Sequence, residues 1–62
     1  MKNFVLRLKS HDQYVLHAAI MRGYYTPTDY TNDKRLAYVF DAELRRHSKM
    51  SKLLTDMIIE EV

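Results

Sequence analysis

The chain has no cysteine, one glycine, one proline and no apolar run close to the ~18 residues that a membrane span needs. Without cysteine there is no disulfide to support the fold, and the commonest zinc frameworks are excluded with it. A single Gly23 and a single Pro27 leave no material for flexible linkers, low-complexity tracts or a glycine-rich phosphate loop. The N-terminal stretch MKNFVLRLKSHD is interrupted at Arg7 and Lys9 and lacks the apolar length of a signal peptide, so a soluble cytoplasmic protein is expected. The absence of cysteine fits a reducing compartment.

Sixty-two residues make one domain, spanning 1–62. A chain this short removes only about 60% of its unfolded surface from water, so its stability margin is thin. With disulfides excluded, self-association is the expected support, and a homodimer is anticipated. The composition, 47% hydrophobic and 29% charged, is that of an ordinary globular protein, which excludes a disordered or fibrous class. Net charge is +2, which permits a nucleic-acid partner without requiring one.

Residues 3–9, NFVLRLK, alternate with period two: Phe4, Leu6 and Leu8 on one side, Asn3, Val5, Arg7 and Lys9 on the other. This predicts a half-buried strand. Ser10 then opens a capping-box pattern with Gln13, and Asp12 suits the first turn of a helix, so a helix is predicted over 11–22 with Gly23 as its left-handed C-terminal cap. The next stretch, YYTPTDYTNDKRLAYVF, carries a turn signal at 31–34 between two aromatic segments and reads as a hairpin, with residues 35–40 as its firmer strand. Pro27 places the first strand at a sheet edge. Asp41 is a candidate cap for a final helix running toward residue 61, with His47, Met50, Leu53, Leu54, Met57 and Ile58 on one face. The expected fold is α+β, in the order β-α-β-β-α: a three-stranded sheet with two helices on one face.

Two families resemble parts of this chain. The C-terminal SKMSKLLTDMIIEEV is similar to the second helix of ribbon-helix-helix DNA-binding proteins, and KNFVLRLK is similar to their DNA-reading strand. That family pairs two such strands across a dimer, which would make Asn3, Val5, Arg7 and Lys9 the base readers; its helices are joined by a short turn, whereas here residues 23–46 intervene. Residues 11–55 also resemble an uncharacterised family of short phage and bacterial proteins, through Ala18, Ala19, Ile20 and Gly23, then Asp33 and Lys34, then Tyr38, Val39, Phe40 and Asp41. That resemblance implies the hairpin and carries no activity.

Catalytic constellations are hard to find. His11 lies beside Asp12, yet neighbours on a helix point about 100° apart, so the pair reads as surface rather than as a metal site. His17 reads as solvated or interfacial, and His47 as a partly buried, hydrogen-bonded side chain. Asp29, Asp33 and Asp41 stand where turns and caps want aspartate for backbone reasons. So small a chain excludes water poorly from a reactive site. A non-enzyme without metal or cofactor is expected. The reading is therefore of a binding module, plausibly a phage-type regulator or inhibitor, that meets a protein partner through Tyr24, Tyr25 and Tyr30 on the edge strand. The alternative is a nucleic-acid-binding regulator of ribbon-helix-helix type, using Arg7, Lys9, Arg35, Arg45, Lys49 and Lys52.

Overall fold

The computed structural model describes residues 2–62 and contains one four-stranded antiparallel sheet with strand order β3-β2-β1-β4. The strands are β1 (Phe4–Leu8), β2 (Tyr14–Met21), β3 (Tyr24–Thr31) and β4 (Met57–Glu61). Between β3 and β4 the chain forms 3₁₀ turns at Lys34–Leu36, Ala42–Arg46 and Ser48–Met50, and then one short helix, α1 (Ser51–Asp56). This overturns the expected three-stranded sheet with two covering helices.

The N-terminal strand is where the alternation put it. It is more buried than a period of two implies, because Val5, expected to face outward, is as fully buried as Phe4 and Leu6. The reason is position: β1 lies inside the sheet, flanked by β2 and β4, with structure on both faces. Phe4 and Leu6 join Val15, Phe40, Met50, Leu53 and Met57 in the main core. On the opposite face, Val5 and Arg7 lie level with Glu60 and Tyr14. A Lys34–Glu60 ion pair draws the 34–36 turn down onto that side.

The predicted helix over 11–22 is a turn followed by β2. Ser10 and Gln13 make no capping box: the Ser10 hydroxyl meets His11 Nδ1 at 2.8 Å, and the Leu8 N–H donates to the Gln13 carbonyl at 2.9 Å, closing a hairpin loop over 9–12. The near-continuous apolar run from Tyr14 to Met21 suited a helix buried on two sides, but a run of eight is also the length of a strand, and periodicity does not separate the two. The deciding feature lies at its end. Arg22 has φ 55° and Gly23 φ 82°, and Met21 pairs with Tyr24 across them. Positive φ at both central residues is the signature of a type I′ turn, whose twist matches that of a β-hairpin. The glycine read as a helix cap is thus the second residue of a two-residue hairpin loop.

The hairpin predicted within 24–40 pairs differently. Its first strand exists as β3, but the partner is β2. The turn signal is real: the Asp33 carboxylate accepts from the Arg35 amide at 2.9 Å and caps the Lys34–Leu36 turn. Residues 35–40, the firmer strand by composition, contribute only one bridge. Phe40 exchanges two backbone hydrogen bonds with Phe4, at 3.0 and 2.7 Å, and the Tyr38 N–H donates to the Val15 carbonyl. This segment fills the fork where β2 swings away from β1 after the Arg7–Tyr14 pair. β2 and β3 each carry an irregularity, an extra residue at Leu16 and at Thr28, which increases twist and curls β3 toward α1.

The long final helix is likewise replaced. Met50, Leu53 and Met57 of its apolar stripe are buried as expected, but helix persists only over 51–56. Beyond it, MIIEE pairs with the whole of β1, from Leu8–Met57 to Phe4–Glu61. Two adjacent isoleucines favour the strand locally, and the free edge of β1 supplies the partner. Asp41 makes no side-chain cap; the amide of Ala42 is capped instead by Asn3 Oδ1 at 3.1 Å. No parallel crossover occurs, since every strand pair is antiparallel.

The turn assignment can be checked by substitution. The Cβ of an alanine at Gly23 would meet nothing within 4 Å, so the penalty is backbone strain alone. Gly23→Ala is expected to cost about 1 kcal/mol, or roughly 4–8 °C in Tm, while Arg22→Asn leaves Tm unchanged or raised. Thermal unfolding followed by circular dichroism measures both; an unchanged Tm for Gly23→Ala would refute the turn geometry.

Candidate functional site: a basic groove around Tyr24

Three segments meet beside the β2–β3 turn. The turn supplies Arg22, Gly23 and Tyr24, the Ser48–Met50 turn supplies Ser48 and Lys49, and α1 supplies Ser51, Lys52 and Thr55. Each is aimed outward by a neighbour that points in. Met50 and Leu53 are buried in the core, which turns Lys49 and Lys52 to solvent, and Tyr25 packs against the core, which does the same for Tyr24.

The result is two open recesses joined at Tyr24 and Ser51. One, of about 460 Å³, is lined by Arg22, Gly23, Ser48 and Lys49; the other, of about 260 Å³, by Lys52 and Thr55. Lys52 Nζ stands 5.8 Å from the Tyr24 ring centroid, a cation–π distance. Lys9 flanks the far end, its Nζ donating to the Thr55 carbonyl at 2.9 Å. Asp56 sits on the outer side of Lys52, in a neighbouring recess with Tyr25 and Pro27, and is the acidic residue nearest the groove lining. The hydroxyls of Ser51 and Thr55 donate to backbone carbonyls of Ser48 and Ser51, and the His47 Nδ1 accepts from the Lys49 amide, so these groups hold the segment's shape. The groups free to donate into the groove are Arg22, Lys49, Lys52 and the Ser48 hydroxyl.

The residues proposed from the sequence are divided by the fold. Tyr24, Lys49 and Lys52 come together here, with Lys9 at the rim. Tyr25 is half-buried and packs on the core, while Tyr30 lies six residues along β3, about 20 Å from Tyr24. The three tyrosines therefore form no single patch, although β3 does lie at a sheet edge. Arg35 is engaged by Asp33 in two side-chain hydrogen bonds, at 3.0 and 3.1 Å. Arg45 stands 3.6 Å from Glu61.

Arg7 is committed to a charged network on the sheet face opposite the main core. Its Nε lies 2.7 Å from Glu60 Oε2, Lys34 Nζ lies 2.9 Å from Oε1, and the Tyr14 hydroxyl donates to Oε1 at 3.2 Å. Hydrogen bonds from Lys34 and then Arg7 hold the Glu60 carboxyl down to about 2, while the same carboxylate raises Arg7 and Lys34. Desolvation, with the Glu60 charge added, raises the Tyr14 hydroxyl. This network joins β1, β2, β4 and the 34–36 turn; its role is structural. Arg22 was missed by sequence reasoning because it stood at the end of a supposed helix. The legible signal was the Arg-Gly pair between two apolar runs, which reads equally as a hairpin turn.

β1 has β2 and Phe40 on one edge and β4 on the other, so it offers no free edge for an intermolecular ribbon, and no pair of long helices is present among the described residues. Among these residues no cluster of three or more His, Cys, Asp or Glu is arranged to hold a metal, and no helix is long and apolar enough to cross a membrane. Comparisons with protein-family models, curated proteins and solved structures gave no match.

The Glu60 network makes stability depend on acid. Glu60 titrates near 2 when folded and near 4.5 as a free side chain, so its contribution is complete above about pH 4.5 and is lost as pH falls toward 2. Urea midpoints measured from pH 6 to about pH 2 are expected to fall steeply below about 4.5 for the native chain and more shallowly for Glu60→Gln.

Proposed function

We propose that this protein is a non-catalytic binding module whose ligand is the phosphodiester backbone of a nucleic acid, taken in the groove around Tyr24. The observation that carries the reading is the convergence of Arg22, Lys49 and Lys52, none of them in an ion pair among the described residues, on one exposed tyrosine. Exposed cations on folded proteins commonly face a carboxylate, as Arg7, Lys34, Arg35 and Arg45 do here. Three gathered without one, beside a hydroxyl donor and an aromatic ring, suit an anionic polymer. The recesses are open to solvent, which favours a threaded chain over an enclosed small molecule, and openness also opposes a reactive site that must exclude water.

The reading makes a quantitative claim about salt. Three phosphate contacts give a slope of log affinity against log salt between about −2 and −3. Combined Arg22→Ala, Lys49→Ala and Lys52→Ala is expected to remove most of that slope, whereas Arg35→Ala, which touches only Asp33, leaves it unchanged. Fluorescence anisotropy with labelled DNA and RNA across a salt series measures it, and a flat profile for the native chain refutes the reading.

A second reading retains a protein contact, relocated from the tyrosines of β3. Leu36, Tyr38 and Val39 are 63%, 47% and 49% exposed and lie almost consecutively, so a narrow apolar strip faces solvent next to the Phe40 bridge. The thin stability margin of so short a chain favours a second copy as its occupant. Sedimentation equilibrium is then expected to show a dimer that Leu36→Asp with Val39→Asp converts to monomer; a monomer at every concentration for the native chain excludes it.

A further inference from the structure

We infer that the nucleic acid bound at Tyr24 is single-stranded, with one unpaired base stacked on the tyrosine ring; this rests on the nucleic-acid reading above and adds the form of the ligand. Tyr24 stands at the junction of the two recesses, with Arg22 and Lys49 on one side and Lys52, then Lys9, on the other. A strand that follows both recesses meets cations before the ring and after it. That is the arrangement a backbone needs if phosphates on either side of one nucleotide are to be held while its base turns toward the aromatic group. The ring is 44% exposed, so a face is open to a base. Lys52, 5.8 Å from the ring centroid, brings positive charge to the phosphate adjoining a stacked base.

A duplex fits the same groove poorly. Its bases present edges and no ring faces, so Tyr24 would have nothing to stack on. The helix at the groove has six residues, about 9 Å of length, and is anchored through Leu53 to the core, so it cannot enter a major groove as a recognition helix. The remaining duplex mode is insertion of the β2–β3 hairpin tip as a ribbon, in which Arg22 would act and Tyr24 would be dispensable. The two modes therefore make opposite demands on Tyr24.

The test is anisotropy with three labelled ligands of equal length, about twelve nucleotides each: a mixed single strand, its duplex, and an abasic strand carrying the same backbone without bases. The single strand is expected to bind more tightly than the duplex, and the abasic strand to lose roughly five- to hundredfold, the worth of one stacked base. Tyr24→Leu should lose a similar factor on the mixed strand and nothing on the abasic strand, while Tyr24→Phe, which keeps the ring, stays close to native. Because the abasic comparison uses the native chain, it does not depend on how the variants fold. Duplex affinity equal to or above that of the single strand, or abasic affinity equal to that of the mixed strand, overturns the inference and leaves the phosphate reading standing. Salt-independent or absent binding of all three ligands overturns both.

Discussion

Phe4 and Phe40 exchange both of their backbone hydrogen bonds, their rings stack at 5.6 Å with an interplanar angle of 17°, and neither side chain is reached by solvent. The loop this contact closes spans more than half of the chain, so the entropic cost of bringing its ends together is met by one bridge and one aromatic pair. Everything between them is shaped by that closure. It fixes the 34–40 segment in the fork between β1 and β2, lets the 34–36 turn bring Lys34 to Glu60, and directs the remaining chain across the core so that Met57–Glu61 reaches the free edge of β1. A radius of gyration of 10.6 Å, against roughly 10.5 Å for a compact chain of this length, shows that the irregular middle is packed and not splayed.

The two faces of the sheet divide the work. The face of Phe4 and Leu6 carries the apolar core and seats α1; the other carries Val5 beneath an ionic network centred on Glu60. A half-buried carboxylate between two cations adds less than a hydrophobic contact of the same size, since desolvation offsets much of the attraction. Its geometry is specific, however, and it ties four elements that share few apolar contacts. Cations spent in this way are withdrawn from the surface, which is why the basic residues available for binding concentrate at the opposite end of the hairpin, around Tyr24.

Much of the burial was readable from residue order, and most of the secondary structure was not. Val15, Met50, Leu53, Met57 and Phe40 are apolar at positions where either helix or strand would bury them, so they enter the core whichever backbone is formed. The backbone itself was ambiguous. Tyr14–Met21 mixes helix formers such as Leu16, Ala18 and Ala19 with residues that suit strands, and Ser-His-Asp-Gln before it makes a helix start as plausible as a loop. Local propensity differs by well under 1 kcal/mol per residue between these states, so the pairing available to β2 outweighs it. The candidate site was half legible for the same reason. Lys49, Lys52 and Tyr24 stood out as exposed cations and an exposed ring, but their proximity depends on a hairpin and a short helix that no local pattern specified.

Residue order by itself determined that this chain is one small domain without disulfides, that residues 3–9 form a strand, that a turn follows Thr31, and which apolar side chains leave water. These are consequences of composition and of alternation over a few residues, and they need no distant partner. Tertiary structure alone decided that 14–21 and 57–61 are strands, that Arg7 is bound to Glu60 while Lys49 and Lys52 stay free, and that Arg22 joins them at Tyr24. Each of those outcomes rests on which strand edge or which charge lies within reach, and that is known only once segments remote in sequence have been brought together.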